Sequence, residues 1–181
     1  MADTLIVETG AIIVGAESYI SVVDADAYHS THGNTAWASL STLDKEIALR
    51  KATVYVDGHY FYRWKGSQVQ PLTQELQWPR SGVRIAKDPV YYDVPPSFYD
   101  QAYLGYLAIT TIPKQLKQAV CEAALIASTS ELAETLTNGI SSKTVDVIST
   151  TYTGSSGEAT KKYQIIDQLR VSLLESSGDL K

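Results

Sequence analysis

The chain has 181 residues, of which 44% are hydrophobic and 19% charged, and its formal net charge is −5. This length suits one domain with one sizeable core, and the composition excludes an intrinsically disordered chain. The acidic balance excludes a surface that is basic all round, although it is compatible with a local basic patch. The single cysteine, Cys121, excludes an internal disulfide and a thiolate zinc cluster.

The N-terminal part of the chain, residues 16–62, is predicted to contain a strand and helices. Residues 18–23, SYISVV, are β-branched and aromatic, which indicates a strand. Asp24 is then expected to cap a short helix over residues 25–32, with Gly33 as its stop. The apolar stretch before this unit is too short to cross a bilayer and lacks preceding basic residues, so we expect neither a signal peptide nor a membrane segment.

A second helix is indicated over residues 42–57. Ser41 suits its N-cap and Asp44 follows three residues later, which is the spacing of a reciprocal cap. Apolar residues then recur at helical spacing until Gly58, near which we expect the helix to end.

Residues 63–96 lack periodicity and are punctuated by proline and glycine, and a long irregular loop is predicted over residues 63–111. Tyrosines return at helical spacing within it, so residues 97–108 are expected to form a short Tyr-faced helix.

The C-terminal part is predicted to contain a central helix over residues 112–139, a strand over 140–152 and an amphipathic helix over 159–175. Pro113 suits the first position of the central helix, and Gly139 is its expected stop. The fold class expected is therefore mainly α: one domain, residues 1–181, with about four helices and a few short strands. The apolar face of the last helix, predicted to contact a partner, contains Tyr163, Ile166, Leu169 and Leu173.

No nucleophile motif, phosphate-binding loop or zinc signature occurs in the sequence, so we predict no catalytic residues and no cofactor. Asp26, His29 and His32 recur at three-residue steps and offer one oxygen and two nitrogens to a metal. Because no second ligand cluster accompanies them, we interpret them as a polar helix face and predict no metal site.

Two clusters combine aromatic and basic residues, Tyr62–Lys65 and Trp78–Arg80. Bases stack on exposed rings while Lys and Arg neutralise phosphates, so the clusters suit a single-strand groove. The alternative is structural: Trp78 anchors the loop in the core, so that Trp78→Ala damages folding or assembly before it alters any DNA affinity. Arg80 and Arg84 are expected to pair with carboxylates. The residues assigned to this loop and to assembly are Trp64, Trp78, Pro79, Arg80, Gly82 and Arg84.

Charge is unevenly distributed along the chain. Residues 1–44 contain acidic side chains and no Lys or Arg, whereas residues 63–87 contain five basic residues against Glu75. We expect the two segments to attract each other, within one chain or between neighbouring copies.

The succession SYISVVDADAYHSTHGN, KEIALRKATVYVDG, RWKG, LQWPRSGV and IPKQLKQAVCEAAL, followed by a Tyr-anchored helix, resembles a family of small tailed-bacteriophage proteins. Those proteins are similar to head-to-tail connectors (adaptors) and also carry a DnaT-like single-stranded-DNA-binding label. The resemblance covers most of residues 16–175, and the Tyr-rich stretch 88–111 is longer than the family pattern.

The resemblance implies a structural virion protein without enzymatic activity, made in the bacterial host cytoplasm and located at the capsid vertex or neck. Its expected partners are copies of itself in a ring, commonly of twelve, the portal protein and a downstream neck or tail protein. Double-stranded DNA would pass through the ring without specific binding, and no membrane is involved. The alternative is a DnaT-like protein that binds single-stranded DNA during phage replication.

Overall fold

The protein is mainly α, with a few short strands, as the sequence predicts. The computed structural model describes residues 4–84 and 105–132, the strand residues 135–136, 142–145, 148–151 and 159–160, and positions 163, 166, 173 and 174. Its helices are α1 (Val22–Thr31), α2 (Thr35–Ala38), α3 (Thr42–His59) and α4 (Lys114–Ala127), and a 3₁₀ turn spans Phe61–Arg63.

In the described part of the chain, six short strands form three antiparallel pairs. The strands are β1 (Ser67–Gln68), β2 (Arg80–Ser81), β3 (Thr135–Leu136), β4 (Ser142–Val145), β5 (Ile148–Thr151) and β6 (Ala159–Thr160). β1 pairs with β2, β3 with β6, and β4 with β5. The single strand predicted over residues 140–152 is therefore wrong, because its described residues form two strands, β4 and β5, that pair with each other antiparallel.

The same capping device begins α1 and α3. Ser41 Oγ accepts a hydrogen bond from Asp44 N at 3.2 Å, and Ser21 Oγ accepts one from Asp24 N at 3.1 Å. The start of α3 is thus confirmed, and its end at His59 lies two residues beyond the predicted one. The strand predicted over 18–23 is wrong, because the Ser21 cap draws Val22 and Val23 into a helix despite their β-branched side chains.

The central helix is shorter than the sequence suggested. Pro113 occupies the N-cap rather than the first helical position, and α4 ends at Ala127, not near Gly139. The hydroxyls of Ser128 and Thr129 bond the carbonyls of Leu125 and Ile126, which offers the backbone an alternative to further helix.

The core forms where α3 packs against α4. Ala48 and Ala52 of α3 and Ala119 and Ala123 of α4 are buried, and such small residues let two helices approach closely. The rest of the core comes from all parts of the described chain, including Tyr19, Trp37, Leu49, Val56, Trp64, Trp78, Leu116, Val120, Ile166 and Leu173. None of the helices in the described part is long and apolar enough to cross a membrane.

Backbone contacts join the residues just before position 85 to those just after position 104. Leu107 N donates to Val83 O at 2.8 Å, and Arg84 forms an antiparallel bridge with Tyr106. The Tyr-faced helix predicted over residues 97–108 is therefore wrong at its described end, because Tyr106 forms a β-bridge there. Residues 97–104 of the predicted helix lie outside the described residues.

Most of the helix predicted over residues 159–175 lies outside the described residues. It does not begin at 159, because Ala159 and Thr160 pair with β3 as a strand. Within this segment Ile166 and Leu173 are buried in the core of the same chain, and Lys65 N donates to Leu173 O at 3.0 Å. Tyr163 is half-buried and packs against Tyr55 in an edge-on arrangement, whereas Leu169 is outside the described residues.

Candidate functional site

The two tryptophans of the aromatic-basic clusters lie inside the molecule. Trp78 is 0% exposed and Trp64 is 3% exposed, and their rings meet edge to face with centroids 5.8 Å apart. Trp64 also contacts the buried ring of Tyr60 at 6.0 Å. In this arrangement neither indole offers a face on which a base could stack, which agrees with the structural interpretation of Trp78.

Arg80 is bound to the backbone of its own loop. Its Nε donates to Lys65 O at 2.8 Å and its Nη2 to Gly66 O at 2.6 Å, while Nη1 lies 3.3 Å from Gln77 O. The hydrogen bonds described for Arg80 therefore go to carbonyl oxygens, while its charge also acts on the Asp57 carboxylate. Arg84 is half-buried, and its Nε has no hydrogen-bond partner within the described segments.

Glycines permit the tight course of this loop. Gly66 has φ +67°, and a Cβ there would lie 2.1 Å from Ser81 O, so any side chain would collide with β2. Gly82, with φ +71°, occupies the left-handed region that favours glycine.

A buried carboxylate fastens the loop to α3. Tyr19 OH donates to Asp57 at 2.7 Å and Gln77 N donates to the same carboxylate at 3.0 Å, while Trp78 N donates to Tyr19 OH at 3.1 Å. Burial raises the pKa of Asp57 from 3.8 to about 6, against the lowering effect of these hydrogen bonds and of the Arg80 charge. Sequence reasoning missed Asp57 and Tyr19, because the residues that they hold are distant in the chain.

An exposed aromatic-basic surface follows directly after α3, in the 3₁₀ turn. Tyr62 is 85% exposed and Phe61 is 49% exposed, and their rings are 4.9 Å apart. Arg63, also exposed, places its guanidinium 6.0 Å from the ring centroid of Tyr60. We call Phe61, Tyr62 and Arg63 the aromatic turn. It combines accessible rings with a cation, and the buried Tyr60 and Trp64 flank it as a support.

The three residues interpreted as a polar face of α1 make separate contacts. Asp26 Oδ1 accepts from Trp37 Nε1 at 2.7 Å and lies 2.9 Å from Lys45 Nζ. His29 is buried with its Nδ1 3.0 Å from Asn34 Nδ2, and His32 Nδ1 lies 2.8 Å from Tyr28 O. The described residues contain no group of three or more His, Cys, Asp or Glu side chains arranged to hold a metal.

The concave regions of the described part of the chain include two that lie beside α3. One, of about 380 Å³, lies between α1, α2 and the side chain of Lys45; we call it the α1–α2 pocket. The other, of about 410 Å³, is an apolar groove between α3 and the end of α4, lined by Val54, Tyr55, Ala127 and Leu132 and bordered by Lys51. We call it the α3–α4 groove.

Comparisons with known proteins give a single family. No curated protein and no solved structure matches the chain significantly. The model of one protein family matches residues 3–181, which is nearly the whole sequence. This finding accords with the DnaT-like label predicted from the sequence, and the connector role of the resemblance stays a prediction. The chain belongs to the family described as "Putative DnaT-like ssDNA binding protein".

Proposed function

We propose that this protein binds single-stranded DNA, without catalysis, through the aromatic turn. The observation that carries the proposal is the exposure of Phe61 and Tyr62 beside the cation of Arg63. Unpaired bases present their faces to aromatic rings, and stacking is worth about 1–3 kcal/mol per base. The family membership supports the same activity.

The placement of the rings favours single strands over duplex DNA. In a duplex the base faces are covered by their neighbours, so protruding rings have nothing to stack on. A net charge of −5 also does not favour the many phosphate contacts that binding along a duplex requires. Binding should therefore combine a few phosphate contacts with stacking, and its dependence on salt should be shallow.

Fluorescence anisotropy with labelled single-stranded DNA across a salt series tests this proposal. Replacement of Phe61 and Tyr62 by alanine should weaken binding at least about tenfold, equivalent to about 1.4 kcal/mol. Arg63→Gln should reduce the slope of log affinity against log salt by about 0.7, the value for one lost phosphate contact. Leu72→Ala is the matched control, because Leu72 is 99% exposed and lies outside the turn.

A second candidate function, a head-to-tail adaptor, is supported by the outer face of α3. Leu43, Ile47 and Val54 are exposed and share one side of the helix, which is opposite the side that buries Ala48 and Ala52. Single exposed apolar residues are ordinary, but a helix with apolar residues on two sides is typical of one that contacts a second surface. The α3–α4 groove continues this face at Val54.

Negative-stain microscopy of the purified protein mixed with the portal protein tests the adaptor role. Rings or added density at the portal are expected, and the double variant Ile47→Asp, Val54→Asp should abolish them, because two buried charges in an interface would be unpaired. Leu72→Asp, which adds one such charge at a side chain that is 99% exposed, provides a control. A wild-type protein that stays monomeric and never binds the portal would exclude this candidate.

A further inference from the structure

The α1–α2 pocket combines balanced charge with free hydrogen-bonding groups. Asp26 and Lys45 lie at 2.9 Å and neutralise each other. Burial lowers the pKa of His29, the other titratable residue that lines the pocket, and so favours its neutral form. A site with no net charge discriminates against a free phosphate and against a metal cation, and favours a neutral polar ligand.

The unused polar atoms of the pocket define what such a ligand must offer. Both described contacts of the Asp26 carboxylate are made by Oδ1, which leaves Oδ2 as an acceptor. The hydroxyl groups of Ser30 and Thr35 line the same pocket and have no hydrogen bond to another described residue. Lys45 has further donor capacity beside Asp26. A matching ligand therefore has an amino group that donates to Asp26. It also has a carbonyl oxygen that accepts from Lys45 or from the hydroxyl group of Ser30 or Thr35.

We propose that the α1–α2 pocket is a subsite for a single nucleobase that has both an exocyclic amino group and a carbonyl oxygen, as cytosine has. Carboxylates accept hydrogen bonds from the amino group of cytosine in other recognition sites. The volume of about 380 Å³ is near the lower end of ligand pockets, roughly 300–1,000 Å³, and suits one base rather than several. The subsite rests on the proposed single-strand binding, to which it adds a base preference.

Nuclear magnetic resonance of the full chain tests the subsite independently of DNA binding. The indole N–H of Trp37 donates to Asp26 at 2.7 Å and therefore reports on that carboxylate, while the indoles of Trp64 and Trp78 are internal references. Deoxycytidine at millimolar concentration should shift the Trp37 signal, and thymidine, which lacks the amino group, should shift it at least about tenfold less strongly at equal concentration. Absence of a Trp37 shift with deoxycytidine overturns the subsite.

Two variants separate occupation of the pocket from effects on folding. Ala38 is exposed and lines the pocket, so Ala38→Phe should fill the pocket and abolish the deoxycytidine shift while the three indole signals keep their dispersion. Asp26→Asn keeps one acceptor oxygen for Trp37 and should weaken deoxycytidine binding about tenfold. A shift that persists unchanged in Ala38→Phe contradicts the subsite.

Oligonucleotides distinguish failure of the subsite from failure of the proposed function. Wild-type protein should bind oligo-dC more tightly than oligo-dT, and Ala38→Phe should remove this difference but keep binding through the aromatic turn. Equal binding of both oligomers refutes the subsite and leaves the proposed function intact. A Trp37 shift with deoxycytidine in a protein that binds neither oligomer supports the pocket and refutes single-strand binding.

Discussion

At the scale of residues, contacts between distant parts of the chain orient the side chains of the two aromatic-basic clusters. Trp64, Trp78 and Arg80 belong to the two clusters that the sequence indicated, yet the indoles are buried in the core and the guanidinium donates to carbonyl oxygens. Their placement depends on contacts across the chain: Trp78 is bonded to Tyr19, 59 residues away. Such pairs leave no periodicity or spacing that a single sequence could display.

The buried carboxylate of Asp57, which accepts hydrogen bonds from Tyr19 and Gln77, should make the stability of the protein depend on pH. The pKa of Asp57 is about 6 in the folded protein and 3.8 in its ordinary state, so the folded state binds a proton that the unfolded state does not hold at intermediate pH. Stability should therefore increase as the pH falls through about 6 towards about 4, by about 1.4 kcal/mol for each unit of pKa difference at most.

Denaturant unfolding of the wild type and of Asp57→Asn over this pH range measures the effect. The variant cannot take up the proton, so its free energy of unfolding should change less with pH, and the difference between the two proteins should widen in favour of the wild type at lower pH. Parallel pH profiles would show that Asp57 titrates alike in the folded and unfolded chains, contrary to this account.

At the scale of elements, local chemistry predicted helix beginnings better than helix ends. The Ser41–Asp44 spacing located α3 correctly. Ser21 and Asp24 have the same spacing, but the β-branched residues before Asp24 favoured a strand in the prediction. In the structure, Ser21 caps α1, which begins at Val22. The end of α4 depends on serine and threonine hydroxyls rather than on a glycine, which is a weaker sequence signal.

The two serine caps should contribute similarly to stability. Ser21→Ala and Ser41→Ala should each lower the free energy of unfolding by about 1 kcal/mol, because each removes the acceptor for an orphan backbone N–H. Ser39→Ala is a suitable control, since Ser39 follows α2 and its hydroxyl bonds only the nearby Ala36 carbonyl. Chemical denaturation would check both values, and a negligible effect at Ser21 would remove the cap as the reason that α1 replaces the predicted strand.

At the scale of the whole molecule, described ion pairs join the acidic first segment to α3, and the attraction predicted between the acidic and basic segments stays a prediction. Acidic residues of the first segment pair with α3: Glu17 with Arg50 and Asp26 with Lys45. Arg80, in the second segment, is held by carbonyl groups. The first set of contacts fixes the N-terminal part to the core, and the exposed cation Arg63 lies beside the rings of the aromatic turn.

Buried aromatic residues that stabilise the fold and exposed ones that can contact a ligand lie close together around the aromatic turn. Tyr60, Trp64 and Trp78 are buried and maintain the fold, whereas Phe61 and Tyr62 are available to a ligand. The sequence predicted the neighbourhood of the site because aromatic and basic residues cluster there. It could not show which rings are accessible, because that depends on how the end of α3 meets the loop.

The most direct test of single-strand binding compares Phe61→Ala, Tyr62→Ala with wild type by anisotropy, alongside circular dichroism and thermal unfolding of both proteins. The account predicts salt-dependent binding by the wild type, a loss of at least about tenfold in the double variant, and little change in its stability, because both side chains are exposed. Trp78→Ala should instead lower stability by about 3–5 kcal/mol. Absence of wild-type binding at low salt, or unchanged affinity in the double variant, would contradict the central claim.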